Sequence, residues 1–309
     1  MPSLRHTGYI PLPEHIKTPG GFDHADIHIQ KGLLYVAHTT NSTVDVIDCT
    51  QDRYLSSIPN LKGVAGVLAV EKQNLIFTSN RGENTVGIFS PGPETDLFKV
   101  EVGHRPNGLA YDPGRNLLLV ANVGDPEVPG SHTISMVDIT SHKMFASIPV
   151  AGRTRWAMYD ETTDSFYVNI SNPPQIVVIK PDSPAQLAKV IDVSAEGPHG
   201  LGIDVEQGRL YCACDQQVLV TLDIHTGEVL NQIQLSGGPD VVFYNVALHR
   251  LYVVCGKPGV IDVIDTVKME LAETVETGTG AHTIAFHAVK NKVYAFLPET
   301  HRAMVMEEK

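Results

Sequence analysis

The sequence predicts an all-β protein, a single seven-bladed β-propeller domain (residues 1–309) with four-stranded blades. Three observations predict it. A short word recurs about every 42 residues, each copy precedes an apolar strand, and turn formers separate the strands. A repeat of roughly 40–45 residues holding several strands is the pattern of one propeller blade.

The clearest copies of the word are Arg105-Pro106-Asn107-Gly108-Leu109-Ala110, Gly197-Pro198-His199-Gly200-Leu201-Gly202, Gly238-Pro239-Asp240-Val241-Val242-Phe243 and Gly280-Ala281-His282-Thr283-Ile284-Ala285. The apolar strands after them are Leu117–Val120, Arg209–Cys212, Arg250–Val253 and Lys292–Ala295. Weaker copies begin at Phe22-Asp23-His24, Gly63-Val64-Ala65 and Thr154-Arg155-Trp156, which makes seven. Aligned, they give one column: His24, Ala65, Asn107, Trp156, His199, Asp240 and His282. One step in it is longer than the rest and contains the turn-rich insertion Gly124-Asp125-Pro126-Glu127-Val128-Pro129-Gly130.

The seventh copy starts too near residue 309 to hold a full blade. Gly8-Tyr9-Ile10-Pro11-Leu12 matches the outer-strand wording of Ser147-Ile148-Pro149-Val150, so residues 8–12 are expected to complete the C-terminal blade and close the ring. Closure removes open sheet edges, and an outermost strand tolerates a proline, whose missing N–H costs no ladder bond there.

Other words are Leu34-Tyr35-Val36-Ala37, Asn84-Thr85-Val86-Gly87-Ile88, Thr43-Val44-Asp45-Val46-Ile47-Asp48 and Val260-Ile261-Asp262-Val263-Ile264-Asp265. With them the chain resembles the YVTN family of propeller repeats over nearly its whole length. The resemblance implies the fold and leaves the activity open, because this architecture hosts scaffolds, carriers and enzymes alike.

Composition narrows the classes. Net charge is −12, and the 23 basic residues are spread along the sequence, so nucleic acid is not an expected partner. No apolar run approaches the ~18 residues of a membrane span, and Met1–His6 shows no export signal, so a cytoplasmic protein without a membrane partner is expected. Cys49, Cys212, Cys214 and Cys255 fall in or beside strands; Cys212 and Cys214 share a strand face and read as reduced core residues.

In a propeller the start of the first strand and the end of the second meet at one mouth of the central channel. Four polar members of the column, His24, His199, Asp240 and His282, belong to neighbouring blades. Three imidazoles and a carboxylate suit a divalent transition metal ion (Zn, Mn, Fe or Ni), with an open flank for substrate. A hydrogen-bonded polar plug and a metal-free acid–base site are the alternatives. Asp23 is a further oxygen ligand, a general base or a turn residue. His38, which replaces the asparagine of Asn80 and Asn122, is a second candidate base; Ser171, Asn172, Asp215 and Lys257 are expected on the same rim. Arg81, Arg105 and Arg155 are candidate clamps for a substrate carboxylate or phosphate, with Asn107 beside them. Trp156 is a wall for an apolar substrate or channel filler. His249 and His287 are expected at the surface.

These residues fit a metal-dependent enzyme acting on a small molecule, a lactone or ester hydrolase or a lyase. Hydrolysis would resemble gluconolactonase-like propellers and elimination would resemble streptogramin lyases. The former use glutamate, asparagine and aspartate on calcium, whereas this column is histidine-rich. The alternative is a non-enzymatic binding scaffold with a histidine-lined channel.

Overall fold

The structure is a computed structural model that describes residues 4–17, 21–92 and 96–308. It opens with β1 (Leu4–Pro11). Blade 1 follows as β2 (Ala25–His28), β3 (Leu33–His38), β4 (Thr43–Asp48) and β5 (Arg53–Ile58). Blade 2 is β6 (Val64–Val70), β7 (Leu75–Asn80), β8 (Thr85–Phe89) and β9 (Phe98–Glu101). Blade 3 is β10 (Pro106–Asp112), β11 (Leu117–Asn122), β12 (Thr133–Asp138) and β13 (Lys143–Pro149). Blade 4 is β14 (Thr154–Asp160), β15 (Ser165–Ile170), β16 (Gln175–Ile179) and β17 (Lys189–Asp192). Blade 5 is β18 (Pro198–Asp204), β19 (Arg209–Cys214), β20 (Val218–Asp223) and β21 (Val229–Gln234). Blade 6 is β22 (Gly238–Asn245), β23 (Arg250–Lys257), β24 (Val260–Asp265) and β25 (Glu270–Glu276). Blade 7 is β26 (Ile284–His287), β27 (Lys292–Leu297) and β28 (Arg302–Glu308), completed by β1.

Every blade is antiparallel, six as meanders of consecutive strands and the seventh closed by β1, and together they form the expected β-propeller. The second and third strands of each blade are buried on both faces, which explains their near-continuous apolar wording. Seven apolar clusters fill the spaces between sheets, each drawing residues from two adjoining blades. The turns repeat as well. The residue just before each second strand (Gly32, Asn74, Asn116, Asp164, Gly208, His249, Asn291) has positive φ, the backbone that glycine, asparagine and aspartate adopt most readily. The aspartates that end the third strands also have a local job: Asp48, Asp138, Asp223 and Asp265 accept backbone N–H bonds of the next turn.

The closing strand is longer than the 8–12 read from the sequence. It pairs with β28 from Leu4↔Glu308 to Pro11↔Arg302, with a register shift between His6 and Gly8. Leu12 lies beyond the strand, its N–H bonded to the His301 carbonyl. Leu4 and Ile10 enter two different inter-blade cores. The four cysteines are free and buried, with Cys212 and Cys214 sulfurs 3.8 Å apart. His287, expected at the surface, is buried instead, because β26 ends inside the packed layer.

Because blade 7 has no other outer strand, deleting residues 1–12 is expected to destroy the single cooperative urea transition. Ile10→Ala alone should cost about 2–5 kcal/mol. An unchanged urea midpoint in the deletion would show that β1 contributes nothing to closure.

Candidate functional site

Strand register corrects the sequence alignment in two blades. The central residue of each second strand faces one first-strand residue: Tyr35↔Asp26, Phe77↔Leu68, Leu119↔Ala110, Tyr167↔Met158, Tyr211↔Gly202, Tyr252↔Phe243 and Tyr294↔Ala285. Counting back from these pairs, the residues at equal height are Asp23, Ala65, Asn107, Arg155, His199, Asp240 and His282. His24 and Trp156 stand one residue further along, at the level of Gly66, Gly108 and Gly200. In five blades an irregularity in the first–second strand ladder brackets the ring residue. A bulge there re-aims that side chain out of the ladder.

The ring residues and their neighbours form a charged belt. His199 sits at its centre, with Nδ1 2.8 Å from Asp215 Oδ1 and Nε2 3.1 Å from Asp240 Oδ1. Arg155 Nη2 reaches Asp215 Oδ2 at 3.3 Å, and its Nη1 lies 3.0 Å from His199 Nε2. From blade 2, Arg81 Nη2 bonds Asn107 Oδ1 at 2.7 Å and Asp23 Oδ2 at 3.3 Å. Of the four residues expected to converge, His199 and Asp240 are in direct contact.

Nε2 of His199 faces competing demands, since Arg155 requires a lone pair there and Asp240 requires an N–H. Burial alone would lower the His199 pKa, but the carboxylates of Asp240 and Asp215 overcome it and raise it to about 9. His199 is therefore an imidazolium that donates to both aspartates, and Arg155 is held through Asp215. Burial of Asp240 is likewise outweighed, chiefly by the His199 charge and its hydrogen bond, which hold its carboxyl well below the usual range. Burial dominates at His24 and lowers its pKa, so that imidazole is neutral. His282 has Nδ1 2.8 Å from the Gly280 carbonyl oxygen, which makes Nδ1 the donor of that bond.

The structure also gathers cations that are scattered in sequence. Burial lowers the Arg153 pKa, and Arg155, Arg81 and Arg105 lower it further, so four guanidinium groups from blades 2, 3 and 4 share one side of the mouth. The Nε atoms of Arg81 and Arg155 are buried without a hydrogen-bond partner. Strand register puts Arg153 level with Arg105 at the first position of the repeat word, a place that the sequence alignment, one residue out in blade 4, gave to Thr154.

Other expected rim residues divide. Ser171, Asn172 and Asp215 line one recess. Asn80 and Asn122 are buried and bonded to Thr85 and to Thr133 and Ser135, a structural role. Lys257 is exposed. His38, a candidate base, is fully buried between Asp45 (2.8 Å) and His15 Nδ1 (2.6 Å), and His15 in turn bonds the Pro298 carbonyl. That chain ties the segment after β1 to blade 1, and its partners are distinct from those of His199. Asp23, the other candidate base, is ion-paired with Arg81 and 3.5 Å from His24. Trp156 lies against His24, with ring centroids 4.5 Å apart, and meets Phe243 edge-on at 6.3 Å. It thus reaches from blade 4 across the channel to blades 1 and 6.

Among the described residues, no group of three or more His, Cys, Asp or Glu side chains is arranged to hold a metal ion. Nor is any helix of the described residues long and apolar enough to cross a membrane.

No family model matches this sequence, and no curated protein matches it. Among solved structures it is similar to hydrazine synthase of Kuenenia stuttgartiensis, with a TM-score of 0.83 at 12% identity over 95% of this chain and 97% of that one. At that identity the likeness shows the fold. With 1768 matching chains, the fold alone does not single out an activity.

The protonated His199 has a consequence for stability. Its pKa rises from 6.5 to about 9 on folding, so its contribution is complete below pH 6.5 and lost as the pH climbs through 9. The stability gap between wild type and His199→Gln in urea should narrow by roughly 3 kcal/mol from pH 6 to pH 10. A gap that widens toward high pH would mean that the belt does not hold this proton.

Proposed function

We propose that the belt is the active site of an enzyme acting on a small anionic molecule. Arg81 and Arg155, with Arg105 and Arg153 beside them, would hold a carboxylate or phosphoryl group. The observation that carries this reading is the pair of buried, unpartnered Nε–H donors on Arg81 and Arg155, beside an acid–base pair. His199, an imidazolium between two aspartates, is suited to donate a proton. His282, with Nδ1 committed to Gly280, is suited to accept one at Nε2. A base and an acid on opposite sides of a bound ester or lactone serve hydrolysis, with the base activating water and the acid protonating the leaving oxygen. The same pair serves elimination, with the base taking a carbon-bound proton next to the clamped carboxylate. The repeat wording supports kinship with YVTN-type propellers, and four free cysteines fit a reducing, cytoplasmic setting.

A second reading is metal-dependent hydrolysis or elimination through His24, His199, Asp240 and His282. It is favoured by the way Asp215 and Gly280 engage the Nδ1 atoms of His199 and His282, as outer partners of metal-bound imidazoles do. The guanidinium of Arg155 at His199 Nε2 weighs against it. A bound metal would polarise a carbonyl or acidify a water.

Screening anionic lactones, esters and β-eliminable acids should reveal turnover that falls about 10²–10⁴-fold in His199→Gln and in His282→Gln. Arg155→Ala should mainly raise KM. Equal turnover of neutral analogues would sink the anion clamp. Elemental analysis of protein purified without chelator separates the readings: a near-stoichiometric transition metal that disappears in a His199→Ala/His282→Ala variant would favour the second.

A further inference from the structure

Below the belt the channel is a different environment. Trp156 and His24 roof a cavity of about 420 Å³. Its walls are apolar, with Leu68, Leu109, Met158 and the rings of Tyr111 and Tyr159 prominent among them. Both tyrosine hydroxyls are committed elsewhere, to Asn116 and Asp164, so these residues present rings to the space. The far end opens among the turns of blades 2, 3 and 4, where Glu71, Lys72, Pro113 and Glu161 stand. This volume falls within the range of ordinary small-molecule pockets, which pair apolar walls with a few placed polar groups.

One residue breaks the apolar lining. Asp26 faces Tyr35 across the ladder, and its counterparts in the other six blades are Leu68, Ala110, Met158, Gly202, Phe243 and Ala285. Asp26 also lines the cavity. Its oxygens accept the N–H groups of Ile27 and Ala69, both at 2.8 Å, and the second bond links blade 1 to blade 2. Those two amides leave the negative charge without a counter-ion, since no described cation pairs with it. A carboxylate turned into an apolar cavity is costly unless a cation meets it.

We infer that the lower channel is a second small-molecule site, distinct from the belt, that binds an amine carrying an aromatic or branched aliphatic body. The ammonium group pairs with Asp26, and the body fills the space under Trp156. Glu71 and Glu161 at the opening add attraction for a cation and outnumber Lys72.

The single tryptophan of the chain lies in the roof, so its fluorescence reports on this cavity. The experiment titrates the full chain at pH 8 with 2-phenylethylamine, 2-phenylethanol and 3-phenylpropionate, reading Trp156 emission. The amine should bind at least about tenfold more tightly than the alcohol, and the acid should not bind. Asp26→Asn should bring amine and alcohol within about threefold of each other, and Asp240→Asn should leave the preference intact. Should Asp26→Asn fail to fold, Leu68→Phe, which fills the cavity and keeps the carboxylate, should abolish the emission change with both amine and alcohol. Equal affinity for amine and alcohol in the wild type overturns the role of Asp26. Absence of any emission change up to roughly 10 mM, or a preference that vanishes in Asp240→Asn, overturns the site.

Discussion

A four-stranded sheet with two apolar faces cannot end in water on either side. Each blade of this protein satisfies that condition only through its two neighbours, and the first and last blades satisfy it only through each other. The β1–β28 ladder is the covalent chain's answer: it places Leu4 in the core between blades 6 and 7 and Ile10 in the core between blades 7 and 1. Everything at the channel depends on that closure. Seven inner strands can present their residues at common heights only when the ring has a fixed circumference.

With the circumference fixed, the repeat dictates what most inner residues are, and departures from it mark where chemistry is placed. Gly66, Gly108 and Gly200 are small because a Cβ on any of them would lie within 2.5 Å of a backbone oxygen in the next blade. At the same height blades 1 and 4 carry His24 and Trp156, which reach into the channel and meet at a tilt of 44°. The indole divides the channel into a charged upper belt and an apolar lower cavity. One residue so placed contributes to both environments, which is why its assignment as either substrate wall or channel filler was too narrow.

The sequence alone made the blade count, the ring closure and the common ring of His199, Asp240 and His282 readable, because a repeat transmits height and angle. It did not transmit register to within one residue. In blades 1 and 4 the stretch from the repeat word to the second strand differs by a single position, and Asp23 and Arg155 exchange places with His24 and Trp156. The arginine cluster was hidden for another reason. Arg81, Arg105, Arg153 and Arg155 belong to three blades, and the ring brings them together. His38 misled because its departure from asparagine serves Asp45 and His15, and His15 lies outside every repeat. Asp26 went unremarked because the apolar ring it interrupts is defined by pairing.

The belt also reverses the electrostatics of the molecule that carries it. The chain as a whole has a net charge of −12. Within the belt, Asp23, Asp215 and Asp240 face Arg81, Arg105, Arg153, Arg155 and the His199 imidazolium. Three carboxylates against five cations leave a positive surplus, concentrated on blades 2 to 4, inside a protein that otherwise repels anions. At Arg153 burial first, and then Arg155, Arg81 and Arg105, lower the proton affinity. A fold gains nothing from gathering like charges at a mouth where water could have stood. On the reading we propose, a bound anion relieves the surplus, and the aspartates then have a clear task. They hold His199 and Arg155 in place, and on that reading they would keep His199 protonated when an anion arrives.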